Sequence, residues 1–209
     1  MQDLRKALAD IHAIRGQVAR ATVFRGYGPA TVALTGMVAG LGAFFQAIWL
    51  GGSHDIAGYL IVWVGVALIS AAMIGGETIT RSRRLHSELA DEMIHAAIEQ
   101  LIPVAVAGAL LTFVLVRFAP ESTWLLPGLW QILYSLGIFA SCRLLPKSLF
   151  AAGAWYLAAG LINVAWGAEG EAFSPWRMGL PFGIGQLLMA GILYRTLGGG
   201  PFEDSYGEG

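Results

Sequence analysis

Six apolar runs, separated by short polar stretches, organise the chain, and each approaches the roughly 20 residues that a helix needs to cross a hydrocarbon core. They fall near residues 29–50, 56–77, 101–119, 124–142, 147–167 and 178–197. The fold class they predict is an all-α membrane protein, a six-transmembrane-helix bundle over 29–197 with short cytoplasmic amphipathic helices. Residues 1–28 precede it as an amphipathic segment, and 198–209 follow as a glycine-rich, acidic tail that is expected to be disordered. No continuous apolar leader with a cleavage site is visible in the first 28 residues, so the first span is expected to direct insertion itself.

Two polar stretches carry helical periodicity of their own. Leu4, Leu8, Ile11, Ile14 and Val18 recur on one face of the N-terminal segment, with Arg5, Lys6 and Arg15 available elsewhere. The connection 78–100 contains neither Gly nor Pro, so helices are expected to continue out of the membrane, reversing near Arg81 to Ser87 with Ser87 as N-cap. Beyond it Leu89, Met93, Ala97 and Leu101 form one stripe, and Glu88, Glu92, His95 and Glu99 a second, acidic one. The N-terminal basic residues and this acidic stripe form a candidate surface for a protein partner at the cytoplasmic face.

Charge fixes the orientation. Eleven of the thirteen Lys and Arg residues fall on the side that holds both termini and the second and fourth connections, and Arg117 and Arg177 are left opposite. Basic segments resist translocation, so both termini are expected in the cytoplasm of a cell membrane, in keeping with a bacterial inner membrane. Trp49, Trp124, Trp130, Trp166 and Trp176 map to the outer ends of their spans, as an interfacial aromatic belt would, and Trp63 and Trp155 lie deeper.

Composition then narrows the chemistry. With 56% hydrophobic and 13% charged residues, lipid must cover much of the surface. A formal net charge of -1 argues against nucleic acid, whose recognition needs a dense basic face. Cys142 is the single cysteine, so no intrachain disulfide or Cys-based zinc cluster can form. Glu92-x-x-His95 is half of a carboxylate-bridged metal motif without its second copy, and no histidine lies deep enough in a span for haem. Neither a cofactor nor a metal is expected. The absence of hydrolase, phosphate-loop and redox motifs leaves an unrecognised membrane-embedded enzyme as the weakest of three roles.

Polar residues inside the spans are the remaining clue. Gln46, Gln131, Asn163 and Gln186 lie on four different spans, roughly 5–12 Å below the outer surface at 1.5 Å per residue. Amides in hydrocarbon need partners, so these either bond helices together or line an outward-facing pocket with Tyr134, Trp155 and Tyr156 as walls. Such a pocket suits a neutral or zwitterionic small solute and predicts a permease or binding protein, expected as a homo-oligomer because six short-looped spans leave little room for a gated path. The competing expectation is a non-enzymatic sensor, or a subunit of a membrane assembly, that works through its cytoplasmic helices. Gly36 and Gly40 in the first span, and Gly179 and Gly183 in the sixth, are expected to mark close helix contacts. Glu77, at the inner end of the second span, is expected to form interfacial ion pairs.

Overall fold

The computed structural model describes the backbone of residues 28–51, 55–85, 88–142, 146–167 and 172–198, with side chains over the same stretches except 81–101 and 197–198. Among these residues the chain is helical, with no strand. Six α-helices occur in order: α1 (Pro29–Leu50), α2 (Ile56–Leu85), α3 (Glu88–Phe118), α4 (Leu126–Ser141), α5 (Phe150–Trp166) and α6 (Trp176–Gly198). Short 3-10 turns, Pro120–Leu125 and Lys147–Leu149, lead into α4 and α5. The stretch expected as a loop at Pro120 is therefore a helical turn that starts the fourth span early.

Among the described residues, four stretches are long and apolar enough to cross a membrane: Pro29–Leu50, Ile56–Thr80, Pro120–Ser141 and Lys147–Trp166. In α3 the described apolar part is the shorter Ile102–Phe118. Local chemistry sets several ends. Pro29 opens α1, where a missing N–H costs nothing, and Gly51 closes it in the left-handed region at φ +51°, which a residue without Cβ adopts freely. Helix α2 continues through Leu85 and α3 starts at Glu88, so Arg81 to Leu85, expected in a turn, are helical. Ser87 and its capping role lie outside the described residues, as do residues 1–27, with Arg5, Lys6 and Arg15, and the tail 199–209.

Each helix packs against its neighbours in the chain, and α6 packs back onto α1, so the bundle closes as a ring in chain order. The α1–α6 and α4–α5 seams are the most extensive, and the α2–α3 contact is slight. Polarity is inverted relative to a water-soluble domain. Leu41, Phe44, Ile48, Leu68, Phe113 and Phe118 face outward, whereas Thr35, Gln46, Gln131, Ser135, Asn163 and Gln186 are buried. Water outside would penalise both placements; lipid favours both. The chain is a membrane protein.

Glycine governs the close seams. A Cβ on Gly36 would lie 3.1 Å from the Gly183 carbonyl, and one on Gly179 would press on the Cβ of Ala43. Three of the four expected contact glycines thus lie in the α1–α6 seam. Gly40 does not: nothing comes within 4 Å of its Cβ position. One helical turn of four residues advances about 400°, so Gly40 stands rotated by about 40° from Gly36 and misses the crossing point. Sequence spacing does not reveal the Gly128–Gly160 pair, where a Cβ on either residue would lie 2.7 Å from the other's carbonyl oxygen.

At the opposite end of α1, the backbone N–H of Gly28 donates to Glu77 Oε2 at 3.1 Å. Gly28 is the N-cap and has no side chain to offer, so a carboxylate from α2 takes that role beside the positive end of the helix. For Glu77 the described geometry adds a helix-capping role to the expected interfacial one. Replacing Glu77 with Gln keeps an acceptor but removes the charge, and is expected to cost about 0.3–1 kcal/mol. Thermal unfolding in detergent checks this, and a variant as stable as the parent rules out the electrostatic part of the cap.

Candidate functional site

The intramembrane amides fall into three separate arrangements. On α1, Gln46 Nε2 donates to the carbonyl of Phe173 at 2.7 Å, and its Oε1 accepts from Trp63 Nε1 at 2.6 Å. Gln131 on α4 and Asn163 on α5 meet directly, Asn163 Nδ2 donating to Gln131 Oε1 at 3.0 Å. Both then donate to one backbone oxygen, Arg177 O, at 2.8 and 2.9 Å. The third, Gln186 on α6, donates from Nε2 to Tyr134 Oη at 2.9 Å.

Pro181 explains the choice of Arg177 O. In an α-helix the carbonyl of residue 177 accepts from the N–H of residue 181, and proline has none. Within a membrane no water stands by to satisfy that oxygen, so neighbouring side chains must. Gln131 and Asn163 supply the missing donors from two different helices. Other carbonyls around the proline are also held: Trp155 Nε1 donates to Pro181 O at 3.0 Å, and Tyr156 Oη reaches Phe182 O at 3.4 Å. Gln46 performs a similar task upstream, on the turn leading into α6. Three amides from α1, α4 and α5 therefore grip two main-chain carbonyls, at Phe173 and Arg177, and fix the N-terminal end of α6.

An aromatic layer lies against this turn. Tyr59 is fully buried, its ring 4.9 Å from Phe173, 6.2 Å from Trp130 and 6.4 Å from Trp63 between centroids. Met178, which also receives a long 3.5 Å contact from Gln131 Nε2, joins the same apolar cluster. Tyr59 Oη has no hydrogen-bond partner. Deeper, the rings of Tyr134, Tyr156 and Phe182 pack mutually with centroids 4.8–5.5 Å apart.

All the side chains expected around a pocket take part in these contacts, at two levels and not one. Gln131 and Asn163 meet at Arg177, while Gln186 lies about 13 Å further along α6. The aromatic belt also divides. Trp49, Trp166 and Trp176 are exposed, but Trp130 is half-buried and donates to Thr112 Oγ1 at 2.9 Å, and Trp124 packs over Gly167. Glu88, Glu92, His95 and Glu99 have helical backbone on α3, and their side chains lie outside the described residues.

One signal was present in the sequence and carried no weight there. Every amide stands three residues after a small residue: Ala43 before Gln46, Gly128 before Gln131, Gly160 before Asn163 and Gly183 before Gln186. Each of those small residues lies at a close interhelical contact. Near-touching backbones at one turn bring a short amide side chain within reach of the neighbouring helix at the next.

Comparison with protein-family models, with curated proteins and with solved structures gives no match to this chain. The reading of its role therefore rests on the geometry alone.

Proposed function

We propose that the protein is a six-span integral membrane protein, both termini cytoplasmic, that acts as a sensor or assembly subunit by engaging a protein partner through cytoplasmic helices. The observation that carries this reading is the α2–α3 hairpin. Helix α3 begins at Glu88, whereas its apolar run begins only at Leu101, so about 20 Å of polar helix precedes the hydrocarbon at 1.5 Å per residue. Helix α2 likewise runs past Thr80, the limit of its apolar stretch, to Leu85. A bundle with no business outside the bilayer gains nothing from extending two helices into water.

Sequence on that extension supports a docking role. Glu88, Glu92, His95 and Glu99 repeat at intervals of four, three and four, which places them along one helical face. Arg81, Arg83 and Arg84, at the C-terminal end of α2, fall on the same side of the proposed topology. The outer amides supply support of another kind, since their bonds hold α6 and leave the partner-facing chemistry to the other end.

The test is a charge reversal in the full chain, Glu88→Lys with Glu92→Lys and Glu99→Lys, followed by crosslinking in the native membrane and quantitative mass spectrometry. A defined partner is expected to fall by about tenfold or more, equivalent to about 1.4 kcal/mol, with helix content unchanged by circular dichroism. An identical crosslinked set in the variant overturns the proposal. A reporter fused after Gly209 that responds outside the cell overturns the orientation on which it stands.

A further inference from the structure

Gln186 is only 6% exposed, and although its Nε2 is bonded to Tyr134, its Oε1 has no hydrogen-bond partner among the described residues. The same bond uses Tyr134 Oη as the acceptor, so the tyrosine's own proton has no acceptor among the described residues. Turning the amide end for end does not cure this. Tyr134 would then donate to Oε1, but the NH2 group would be left without an acceptor; the group is one partner short in either orientation.

Tyr156 completes the cluster. Its ring packs edge-on against Tyr134 at 4.8 Å, and its hydroxyl fills the space that a Cβ would take on Gly185, the residue preceding Gln186. The bond from that hydroxyl to Phe182 O is stretched to 3.4 Å, which leaves it able to take a better partner. Gly36 and Gly183 flank Gln186, and a Cβ at Gly183 would find only the Gly36 carbonyl, at 3.8 Å, so backbone and not bulky side chain bounds the site there.

An amide oxygen left bare in hydrocarbon is strongly disfavoured, and buried polar clusters of this kind hold a molecule that makes two to four hydrogen bonds. We propose that Gln186, Tyr134 and Tyr156 form a mid-membrane binding site for one small uncharged hydrogen-bond donor. The bound group donates a hydrogen bond to Gln186 Oε1 and accepts one from a tyrosine hydroxyl. Water and the hydroxyl or amine end of a small solute share this chemistry. A cation does not suit it, because no acidic side chain stands among the three. The site rests on its own geometry and is independent of the partner proposed for the cytoplasmic helices.

Water-edited solid-state NMR on the isotopically labelled protein in lipid tests it without any mutation. The side-chain signals of Gln186, assigned by their loss in Gln186→Met, are expected to gain intensity from water protons several-fold faster than those of Val32 and Leu149, which are buried among apolar groups. If a solute is the donor, Gln186 instead shows cross-peaks to protons that belong to neither protein, lipid nor water. Either result supports the site. Build-up at Gln186 no faster than at Val32, with no foreign cross-peak, overturns it.

Discussion

Replacing Gln131 and Asn163 together with leucine is expected to destabilise the protein by about 3–5 kcal/mol, and adding Pro181→Ala is expected to restore much of that loss. The estimate combines three interhelical hydrogen bonds at about 0.6 kcal/mol each with about 1–3 kcal/mol for a buried carbonyl left bare. Either single leucine variant should cost far less, because one amide still donates to Arg177 O. Alanine at 181 supplies the N–H that the helix lacks, so the oxygen no longer needs its neighbours. The decisive quantity is the coupling. Pro181→Ala should stabilise the double-leucine background by about 1–3 kcal/mol more than it stabilises the parent. Thermal unfolding of the four proteins in one detergent measures it, and an equal effect of Pro181→Ala in both backgrounds removes the proline from the explanation.

That coupling bears on what the amides are for. Buried amides in a membrane invite reading as ligand groups, and the sequence offers no means to tell a solute from a neighbouring carbonyl as their partner. In α6 the partner is set by a covalent fact, the missing N–H of Pro181. Four residues back from any intramembrane proline lies an oxygen that needs a donor, and that much can be read from the chain. Which side chains reach it depends on the register of α4 and α5 against α6, which no single sequence states. Gln186 differs because no donor among the described residues reaches its Oε1, which is why the inferred donor site lies there and not at the pair that holds Arg177 O.

The ends of α1 were legible for a simple reason. Pro29 and Gly51 punctuate it at 29–50, and the lack of Gly and Pro over 78–100 foretold helical backbone on either side of residues 86–87. Arg81 to Leu85, expected in the turn, extend α2 instead. Facing was less legible. A helix wrapped in lipid is apolar on both its inner and outer sides, so hydrophobic periodicity, the chief guide in soluble proteins, loses its contrast. Trp130 illustrates the consequence: its position at the end of a span suggested the interface, whereas Thr112 on α3 draws its indole inward. The amides themselves mark the inner face, and the small residue three positions before each marks the contact that makes this possible.

Gly160→Ala is the second large effect, with Gly40→Ala as its opposite. A methyl group on Gly160 would lie 2.7 Å from the Gly128 carbonyl oxygen and 3.0 Å from the backbone N of Ile132. Both obstacles are main chain and cannot rotate away. Helices α4 and α5 must therefore separate, and separation also stretches the 3.0 Å bond between Asn163 and Gln131 that begins one turn along. Overpacking of this kind costs about 1–3 kcal/mol, and Gly128→Ala should cost the same, since its Cβ would lie equally close to Gly160 O. The two losses should not add, because once the helices have parted for one methyl group there is room for the other. At Gly40 nothing lies within 4 Å, so alanine meets no obstacle and removes the conformational freedom of glycine from the unfolded chain. That substitution should be neutral or stabilise by up to about 1 kcal/mol. Unfolding in mixed micelles ranks the variants. If Gly160→Ala proves as harmless as Gly40→Ala, the α4–α5 seam is not where these backbones touch, and the reach of Gln131 and Asn163 toward Arg177 needs another cause.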